Sequence, residues 1–379
     1  MSNFQNIGIS QMLVEQMKLL GITDPTEIQE KAIPLVLKGK DVIAQSQTGT
    51  GKTFAFLLPI IDSIDSNDRS VQALIIAPTR ELALQITSEA QKLLEAYPEC
   101  HVLPIYGGQD VEQQLRKLAG AIHLIIATPG RLLDHIRRET VSLHNVKKLV
   151  LDEADQMLHM GFLGEVEKII EQTSNDRQTL LFSATMPEEI RQLSSKYLKN
   201  PEHLSIKKRS MILDEITQIV IKTTDRGKQE ALRAIIKEEQ PFLGIIFCRT
   251  QRRTNKLYEA LHEKGYLVEV LHGGLSQAKR EEVMSMFREA RVQYLVATDV
   301  AARGLDVEGV THVFNYDIPH DVESYIHRIG RTGRGGEVGR AITFVASKDR
   351  HYLDLIEKGI GKKLNDRSHN VGKPLHQTR

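Results

Sequence analysis

The sequence predicts an α/β protein with two doubly wound parallel-sheet domains in tandem, and three observations support this fold class. Short runs rich in Val, Ile and Leu alternate with amphipathic stretches about six times in each half. Such continuous apolar runs are typical of parallel strands that helices cover on both faces. The chain has 379 residues, more than one ordinary core holds. Polar motifs also follow the runs directly, as they do at the ligand-binding edge of such sheets.

The strand predictions follow the apolar runs. In the first half these cover residues 41–46, 71–77, 101–106, 122–127, 146–151 and 179–182. In the second half they cover residues 216–222, 243–248, 266–271, 292–297, 310–315 and 340–345. Apolar residues recur at spacings of three and four over residues 81–97 and 251–264, which predicts amphipathic helices.

A charged stretch without sustained periodicity separates the two halves. We therefore predict a first domain over residues 1–206, a linker over 207–214 and a second domain over 215–365. Residues 366–379 are expected to form a short flexible tail. Because ligands bind at the carboxyl ends of parallel strands, two such domains would place a cleft between their motif-bearing edges.

Composition limits the classes of protein to which this chain can belong. Hydrophobic residues make up 41% and charged residues 26%, as in a soluble globular protein. A net charge of +1 gives no overall basic field, so nucleic-acid binding would need a local face. Cys100 and Cys248 lack metal-ligand spacing and are expected to be buried, reduced thiols. With neither a signal-peptide pattern nor a membrane-length apolar run, we expect a cytoplasmic protein without a membrane partner.

Residues 46–53 read Ser-Gln-Thr-Gly-Thr-Gly-Lys-Thr and lie between a predicted strand and a predicted helix. Gly49 and Gly51 would let backbone N–H groups turn toward phosphate oxygens at the start of the helix. Lys52 would reach the β- and γ-phosphates of a nucleotide, and the Thr53 hydroxyl would bind Mg²⁺. Ser46 stands where the pattern usually has glycine, and this small residue is expected to fit.

Asp152 and Glu153 follow the apolar run at residues 146–151 directly. Asp152 would hold the metal, and Glu153 would orient and deprotonate the attacking water. An acidic pair at a strand end can also be a solvated turn, but the phosphate loop upstream favours the catalytic interpretation.

The second half contains Arg328, Arg331 and Arg334 at spacings of three. Guanidinium groups of this kind can neutralise charge on a transferring phosphoryl group. The alternative is a basic helix that faces RNA or solvent. If the arginines act on the nucleotide, hydrolysis needs both domains.

The chain resembles the DEAD-box ATP-dependent RNA helicases, whose core has two RecA-like domains, from residue 4 to about residue 350. Nine motifs in order carry the resemblance, and the most specific are Gln47-Thr-Gly-Thr-Gly-Lys-Thr53, Asp152-Glu-Ala-Asp155 and His327-Arg-Ile-Gly-Arg-Thr-Gly-Arg334. The other six are Pro25-Thr-Glu-Ile-Gln29, Pro78-Thr-Arg-Glu-Leu82, Thr128-Pro-Gly-Arg131, Ser183-Ala-Thr185, His272-Gly-Gly274 and Ala297-Thr-Asp-Val-Ala-Ala-Arg-Gly-Leu-Asp306.

The resemblance implies ATP and Mg²⁺ as cofactors. Gln29 would bind adenine, Asp306 the ribose, and Arg331 and Arg334 would be the arginine fingers. Ile22 replaces the aromatic residue that commonly stacks on the base, whereas Phe4 matches the isolated upstream aromatic of the family. The remaining nucleotide contacts would be Gln47, Thr48, Gly49, Thr50, Gly51, Lys52 and Thr53, with Thr53 and Asp152 toward the metal.

The resemblance also implies RNA as the partner, bound through its backbone. The strand-end motifs are rich in Thr, Arg and Gly, whereas aromatic content is 5% with no tryptophan, so sequence-independent contacts to phosphate and sugar are expected. The implied RNA contacts are Arg80, Gly108, Thr128, Arg131, Gly273 and Thr298. Ser183, Thr185, His327 and Arg328 would transmit the nucleotide state between domains.

Three functions use these residues. We favour an RNA-dependent ATPase that unwinds or remodels short RNA duplexes. An RNA clamp with a slow ATPase, and a DNA translocase built on the same plan, are the alternatives. After Arg334 only the run at residues 340–345 and a helix-like segment near residues 352–362 remain, so we expect no appended RNA-recognition domain. RNA specificity would then come from the core surface or from protein or ribonucleoprotein partners, with a monomer as the expected state.

Overall fold

Two compact units make up the chain, Met1–Lys208 and Arg209–Arg379. The computed structural model describes residues 3–46, 50–108, 121–205, 216–302, 307, 309–333 and 339–367. The predicted linker 207–214 lies outside these ranges, as do five predicted site residues: Gln47, Thr48, Gly49, Asp306 and Arg334.

The first unit contains a parallel sheet in which seven strands are described, in the order β3-β4-β2-β5-β6-β1-β7. Its strands are β1 Val42–Gln45, β2 Ala73–Ile76, β3 Val102–Ile105, β4 Leu124–Ala127, β5 Lys148–Leu151, β6 Gln178–Ser183 and β7 Glu202–Ser205. The first five predicted runs each contain one strand, and the sixth run lies within β6, because strands covered on both faces must be apolar on both faces.

Helices flank this sheet, and a 3₁₀ helix at Phe4–Ile7 precedes them. They are α1 Gln11–Leu19, α2 Glu27–Leu37, α3 Lys52–Ile61, α4 Arg80–Leu94, α5 Pro129–Arg137, α6 Ala154–His159, α7 Leu163–Ile170 and α8 Glu188–Tyr197. Two separate clusters of buried apolar side chains pack between sheet and helices, one including Phe56 and Phe182, the other Leu151 and Ile169. Burial on both faces confirms the doubly wound arrangement.

The second unit repeats this plan with the strand order β10-β11-β9-β12-β13-β8-β14, again with all pairs parallel. Its strands are β8 Ile216–Lys222, β9 Leu243–Phe247, β10 Val268–Leu271, β11 Tyr294–Ala297, β12 Val310–Asn315, β13 Gly339–Val345 and β14 Asn365–Asp366. Its helices are α9 Lys228–Glu239, α10 Gln251–His262, α11 Gln277–Arg288, α12 Asp299–Ala302, α13 Val322–Ile329 and α14 Arg350–Ile360, with a 3₁₀ helix at Ser347–Asp349.

Among the described residues, each sheet has one strand more than the six predicted, and the extra strands are β7 and β14 at the sheet edges. β7 reads Glu-His-Leu-Ser and is mostly exposed, and β14 has only two residues. An edge strand needs no continuous apolar run, so the pattern used for prediction missed these two, although it found β3 and β10 at the opposite edges. Asp366 and Arg367, which the sequence assigned to a tail, are held by β8, and Arg367 also pairs with Glu238 and Glu239.

Both cysteines are free and buried, which confirms the prediction for Cys100 and Cys248. In the described parts of the chain, no helix is long and apolar enough to cross a membrane.

Candidate functional site

The candidate nucleotide site begins at the amino end of α2, where a capping box forms. The Oε1 atom of Gln29 accepts a hydrogen bond from the Thr26 backbone N–H at 2.9 Å. The opposite side of the same amide donates from Nε2 to the carbonyl oxygen of Gly51 at 2.9 Å. The Thr26 hydroxyl donates to the carbonyl oxygen of Thr50 at 2.8 Å. The residues that cap α2 therefore also hold the end of the phosphate loop.

Gly51 is required here for two separate reasons. Its φ of +89° lies in the left-handed region, and it forms the cap of α3. A Cβ atom at this position would stand 2.5 Å from Nε2 of Gln29 and 2.8 Å from Oγ1 of Thr26. The loop can approach the capping box this closely only because residue 51 has no side chain.

Lys52 is the first residue of α3 and is 8% exposed. Its Nζ donates to the carbonyl oxygen of Ser46 at 3.1 Å, and the hydroxyl of Thr50 donates to the Ser46 hydroxyl at 3.3 Å. Ser46 thus accepts hydrogen bonds from loop residues with both its backbone carbonyl and its side-chain hydroxyl, which fits its place in the motif. Thr53 follows Lys52 and is partly exposed.

The acid pair stands at the end of β5. Asp152 is 3% exposed, and its Oδ1 accepts from the Glu153 backbone N–H at 2.9 Å. Burial raises the pKa of Asp152 to about 6; Lys52 opposes this shift, whereas Glu153 adds to it. Glu153 adopts a φ of +49°, which is unusual for a residue with a side chain and indicates local strain.

Asp155 joins this acidic segment to the end of β6. Its Oδ2 accepts three hydrogen bonds, from the Ala184 N–H at 3.1 Å, the Thr185 N–H at 2.8 Å and the Thr185 hydroxyl at 3.1 Å. The Asp155 N–H in turn donates to the Ser183 hydroxyl at 3.2 Å. A shift of either segment would therefore move the other. The sequence analysis assigned no role to Asp155, because the spacing of the two motifs along the chain does not show this pairing.

The predicted RNA contacts of the first unit stand at the carboxyl ends of three neighbouring strands. Arg80 follows β2, donates from Nη1 to the Gly107 carbonyl oxygen at 3.0 Å and lies over the Tyr106 ring at 4.5 Å. Gly108 follows β3 with a φ of +87°. Thr128 precedes α5, which contains Arg131, and donates its backbone N–H to the Ile105 carbonyl oxygen at 2.9 Å. Tyr106 is a positioning residue that the sequence analysis missed.

Strand order divides this edge into two adjacent parts. The strands β3, β4 and β2 lie side by side and end in the candidate RNA contacts. The next three, β5, β6 and β1, end in the acid pair, Ser183 and the phosphate loop. The parts meet where the Asp152 N–H donates to the Ile76 carbonyl oxygen at 3.0 Å.

In the second unit, Gly273 and Thr298 follow the neighbouring strands β10 and β11. The nearest described atom to a Cβ placed on Gly273 would be Nε2 of Gln251 at 3.6 Å, so a ligand backbone can approach closely. The Thr298 N–H donates to the Leu271 carbonyl oxygen at 3.2 Å, which keeps the two strand ends together.

Arg328 is 4% exposed and binds within the second unit. Its guanidinium forms a two-pronged pair with Asp299, from Nε at 2.5 Å and Nη2 at 2.7 Å. Nη1 donates to the Asp317 carbonyl oxygen at 2.6 Å. Arg331 donates from Nε to the His327 carbonyl oxygen at 3.2 Å and is 8% exposed. Asp299, another residue that the sequence analysis passed over, thus orients the helix end that carries Arg331.

Phe4 lies in the core of the first unit and is 1% exposed, so its ring packs against apolar side chains in this conformation. Ile22, which takes the place of an aromatic residue, is partly buried against the same cluster.

Comparisons with known proteins agree with this geometry. The DEAD/DEAH box helicase family profile matches residues 26–193, and the helicase conserved C-terminal domain matches residues 227–336. The ATP-dependent RNA helicase CshA of Listeria monocytogenes is 49% identical over 365 residues, covering 96% of this chain and 70% of the relative. This chain belongs to the DEAD/DEAH box helicase family. The resemblance drawn from the nine motifs is therefore confirmed.

Further members of the family extend the comparison. The DEAD-box ATP-dependent RNA helicase CshA of Geobacillus kaustophilus is 48% identical, covering 96% of this chain and 78% of the relative. S. cerevisiae Dbp5 bound to RNA and ADP BeF3 is 34% identical, with a TM-score of 0.89 over 97% of this chain and 95% of that one. Mss116p bound to ssRNA and AMP-PNP is 30% identical, with a TM-score of 0.85 over 96% and 79%.

Proposed function

We propose that this helicase hydrolyses ATP in an RNA-stimulated reaction and uses the cycle to open or remodel short RNA duplexes. The supporting observation is the division of one sheet edge into nucleotide-binding and RNA-contacting parts that share the β2–β5 boundary. Its relatives are named ATP-dependent RNA helicases, and two solved neighbours hold RNA together with a nucleotide analogue.

Gln29 is suited to select adenine. Its amide makes one accepted and one donated hydrogen bond within the protein, to Thr26 and Gly51. A primary amide has capacity for one more of each. Adenine offers the complementary pair, because N7 is an acceptor and the N6 amino group is a donor. Guanine has acceptors at both N7 and O6, so it would leave the second acceptor of Gln29 unsatisfied.

Hydrolysis needs a bound cation, a base and charge neutralisation. Thr53 and Asp152 would hold Mg²⁺, and the buried, high-pKa carboxylate of Asp152 fits a position that a cation stabilises. When bound, Mg²⁺ neutralises charge on the β- and γ-phosphates. Lys52 would leave the Ser46 carbonyl for these phosphates, and Glu153 would take a proton from the attacking water. Arg331 and Arg334 would neutralise charge that develops on the γ-phosphoryl group.

RNA would bind through its backbone, with Arg80 and Arg131 toward phosphates and Thr128 and Thr298 toward phosphate or sugar oxygens. Since residues of both units would act on the same ligands, binding of ATP and RNA together would favour the conformation that hydrolyses ATP. Asp155 would carry the nucleotide state to Ser183 and Thr185. We also propose that the helicase acts as a monomer and that partner proteins direct it to its RNA.

The test combines two measurements. ATP hydrolysis should rise on adding single-stranded RNA, and a ribose oligonucleotide should stimulate it more than the matching deoxyribose oligonucleotide. Strand displacement from a short duplex should occur with ATP and stop with a non-hydrolysable analogue in multiple turnovers. ATPase that ignores RNA would overturn the proposal, and equal stimulation by both sugars would favour a DNA translocase. Long RNA residence without displacement would favour a clamp.

A further inference from the structure

Three aromatic rings form a contiguous stack on the second unit. The His320 ring lies parallel to the Tyr352 ring, with centroids 4.1 Å apart and planes at 11°. The His351 ring contacts the Tyr352 ring at a tilt, with centroids 3.8 Å apart and planes at 42°. His320 and His351 are exposed, whereas Tyr352 is partly buried and packs against the apolar cluster that includes Ile318 and Leu353. The apolar cluster therefore holds the stack in place through Tyr352, and the two histidine rings remain accessible to solvent.

The stack lies at the same sheet edge as the proposed RNA contacts of this unit. His320 follows β12, and Tyr352 lies in the first turn of α14, shortly after β13. In the sheet order, β9 alone separates β12 from β11, whose end carries Thr298. At about 4.8 Å between neighbouring strands, β12 lies roughly 10 Å along the edge from β11, the strand that Thr298 follows. A single strand that passes Gly273 and Thr298 can reach the stack within a few nucleotides.

A cationic side chain stands beside the rings. Arg249 follows β9, and its side chain is 40% exposed. Its Nη2 lies 3.5 Å from the Ile318 carbonyl oxygen and 3.8 Å from Oδ1 of Asp349, so the guanidinium is held in place. Burial lowers the pKa of His320 and Arg249 lowers it further, whereas Asp349 and Asp321 oppose these effects. These effects favour the neutral form of His320, which suits stacking on an uncharged base, and Arg249 remains for a phosphate.

We propose that His320, Tyr352 and His351 form a platform for a nucleobase of single-stranded RNA that extends beyond the segment held by Gly273 and Thr298. This inference rests on the proposed RNA function and adds a base contact to an interface that otherwise binds backbone. Aromatic side chains stack on any base, so the platform would lengthen the binding site without adding sequence specificity.

The test compares RNA oligonucleotides of two lengths on the full chain. The short oligonucleotide is just long enough to give full ATPase stimulation. The long ones carry additional unpaired nucleotides at the 5′ or the 3′ end. We expect one of the two extensions to tighten binding to the wild type. The double substitution H320A/Y352A should remove that gain, about 5- to 140-fold in affinity, since one stacked base contributes about 1–3 kcal/mol and 1.4 kcal/mol is tenfold. Binding of the short oligonucleotide should not change.

A matched control exists in the same unit. Tyr258 and His262 form a similar pair on α10, with ring centroids 5.5 Å apart and an exposed histidine. His262 is the last residue of the 12-residue α10, about 18 Å from the helix start at the carboxyl edge. The substitution Y258A/H262A should leave the gain from extension intact. The change Y352F keeps the ring and should retain it as well.

A fluorescent adenine analogue placed along the extension gives a second readout, because stacking quenches its emission. Quenching at one position in the wild type, lost in H320A alone, would support the platform. No gain from either extension, or an equal loss for short and long oligonucleotides in H320A/Y352A, would overturn it. If even the short RNA fails to stimulate the ATPase, the proposed function itself is wrong, so the two failures are distinguishable.

Discussion

Glu153, the proposed catalytic base, has a strained backbone. Its left-handed backbone turns the chain sharply between β5 and α6, so two consecutive carboxylates are buried at one strand end. Such conformations cost on the order of 1–3 kcal/mol and persist where the surrounding structure enforces them. Here Asp152 accepts the Glu153 N–H and Asp155 binds the neighbouring strand end, which enforces the turn from both sides.

Replacing Glu153 by Gln should separate binding from hydrolysis. The amide keeps the shape of the side chain but cannot accept the proton of the attacking water. We expect ATP hydrolysis to slow by about 10²–10⁴-fold, with the affinity for a fluorescent ATP analogue nearly unchanged. Glu139→Gln is the matched control, since Glu139 is also acidic, lies in the same unit and has a φ of +55°, yet is exposed. Wild-type hydrolysis by E153Q would exclude Glu153 as the base.

The raised pKa of Asp152 predicts two pH effects. ATP hydrolysis at subsaturating Mg²⁺ should fall as pH drops through about 6, because the protonated carboxyl no longer attracts the cation.

In the nucleotide-free protein, the folded state binds more protons than the unfolded state between about pH 4 and pH 6, so Asp152 makes the free energy of unfolding decrease as pH rises through this window. Denaturant unfolding at several pH values should therefore show Asp152→Asn gaining stability over the wild type as pH increases. If the difference in free energy of unfolding between D152N and the wild type does not change with pH, the raised pKa of Asp152 is contradicted.

At the scale of elements, the capping box of α2 and the phosphate loop form one structural unit. Thr26 and Gln29 each make one hydrogen bond for the helix start and one for the loop. The energy of helix capping, about 1 kcal/mol, thereby stabilises the loop as well. Loss of the loop contacts would leave the carbonyl groups of Thr50 and Gly51 without these partners.

Gly51→Ala tests this connection. The new Cβ would displace Gln29 and Thr26 while also requiring a left-handed alanine. We expect a loss of about 1–2 kcal/mol for the backbone alone, together with a marked loss of ATP affinity, measured by unfolding and by nucleotide titration. Gly39→Ala is the control, because Gly39 has a φ of +74° but nothing within 4 Å of its Cβ position. If both variants bind ATP equally well, the contact with the capping box has no part in nucleotide binding.

At the scale of the whole molecule, the two units carry different parts of the proposed reaction. The described phosphate-loop residues and the acid pair belong to the first unit, and Arg331 belongs to the second. The Arg328–Asp299 pair and the His327 carbonyl hold the end of α13, and with it Arg331, inside its own unit. The second unit therefore presents this arginine preformed.

Arg331→Ala should leave binding of RNA and of an ATP analogue close to wild type while slowing hydrolysis by about 10³-fold, as expected for an arginine finger. Single-turnover phosphate release measures the loss. Arg288→Ala, an exposed arginine of the same unit, is the control. If R331A loses RNA affinity instead, the arginine belongs to the RNA surface.

Much of this description could be predicted because local chemistry carries it. Val, Ile and Leu runs mark strands buried on both faces, and the order of the nine motifs identifies the family. Edge strands β7 and β14 could not be predicted, since one side of an edge strand needs no apolar cover. Nor could the partners of Asp155, Asp299 and Tyr106, because these contacts join segments far apart in the chain or depend on side-chain geometry.

The sequence by itself determined the fold class and the family, and it predicted which residue types would contact the nucleotide and RNA, because these depend on residue types at short spacings. The tertiary structure alone decided how the contacts are arranged. Strand order, which is independent of chain order, gathers the ends of β3, β4 and β2 into one part of the edge and those of β5, β6 and β1 into the other. It likewise brings His320 and Tyr352, 32 positions apart, into one aromatic stack, since parallel strands from distant segments end at a common edge.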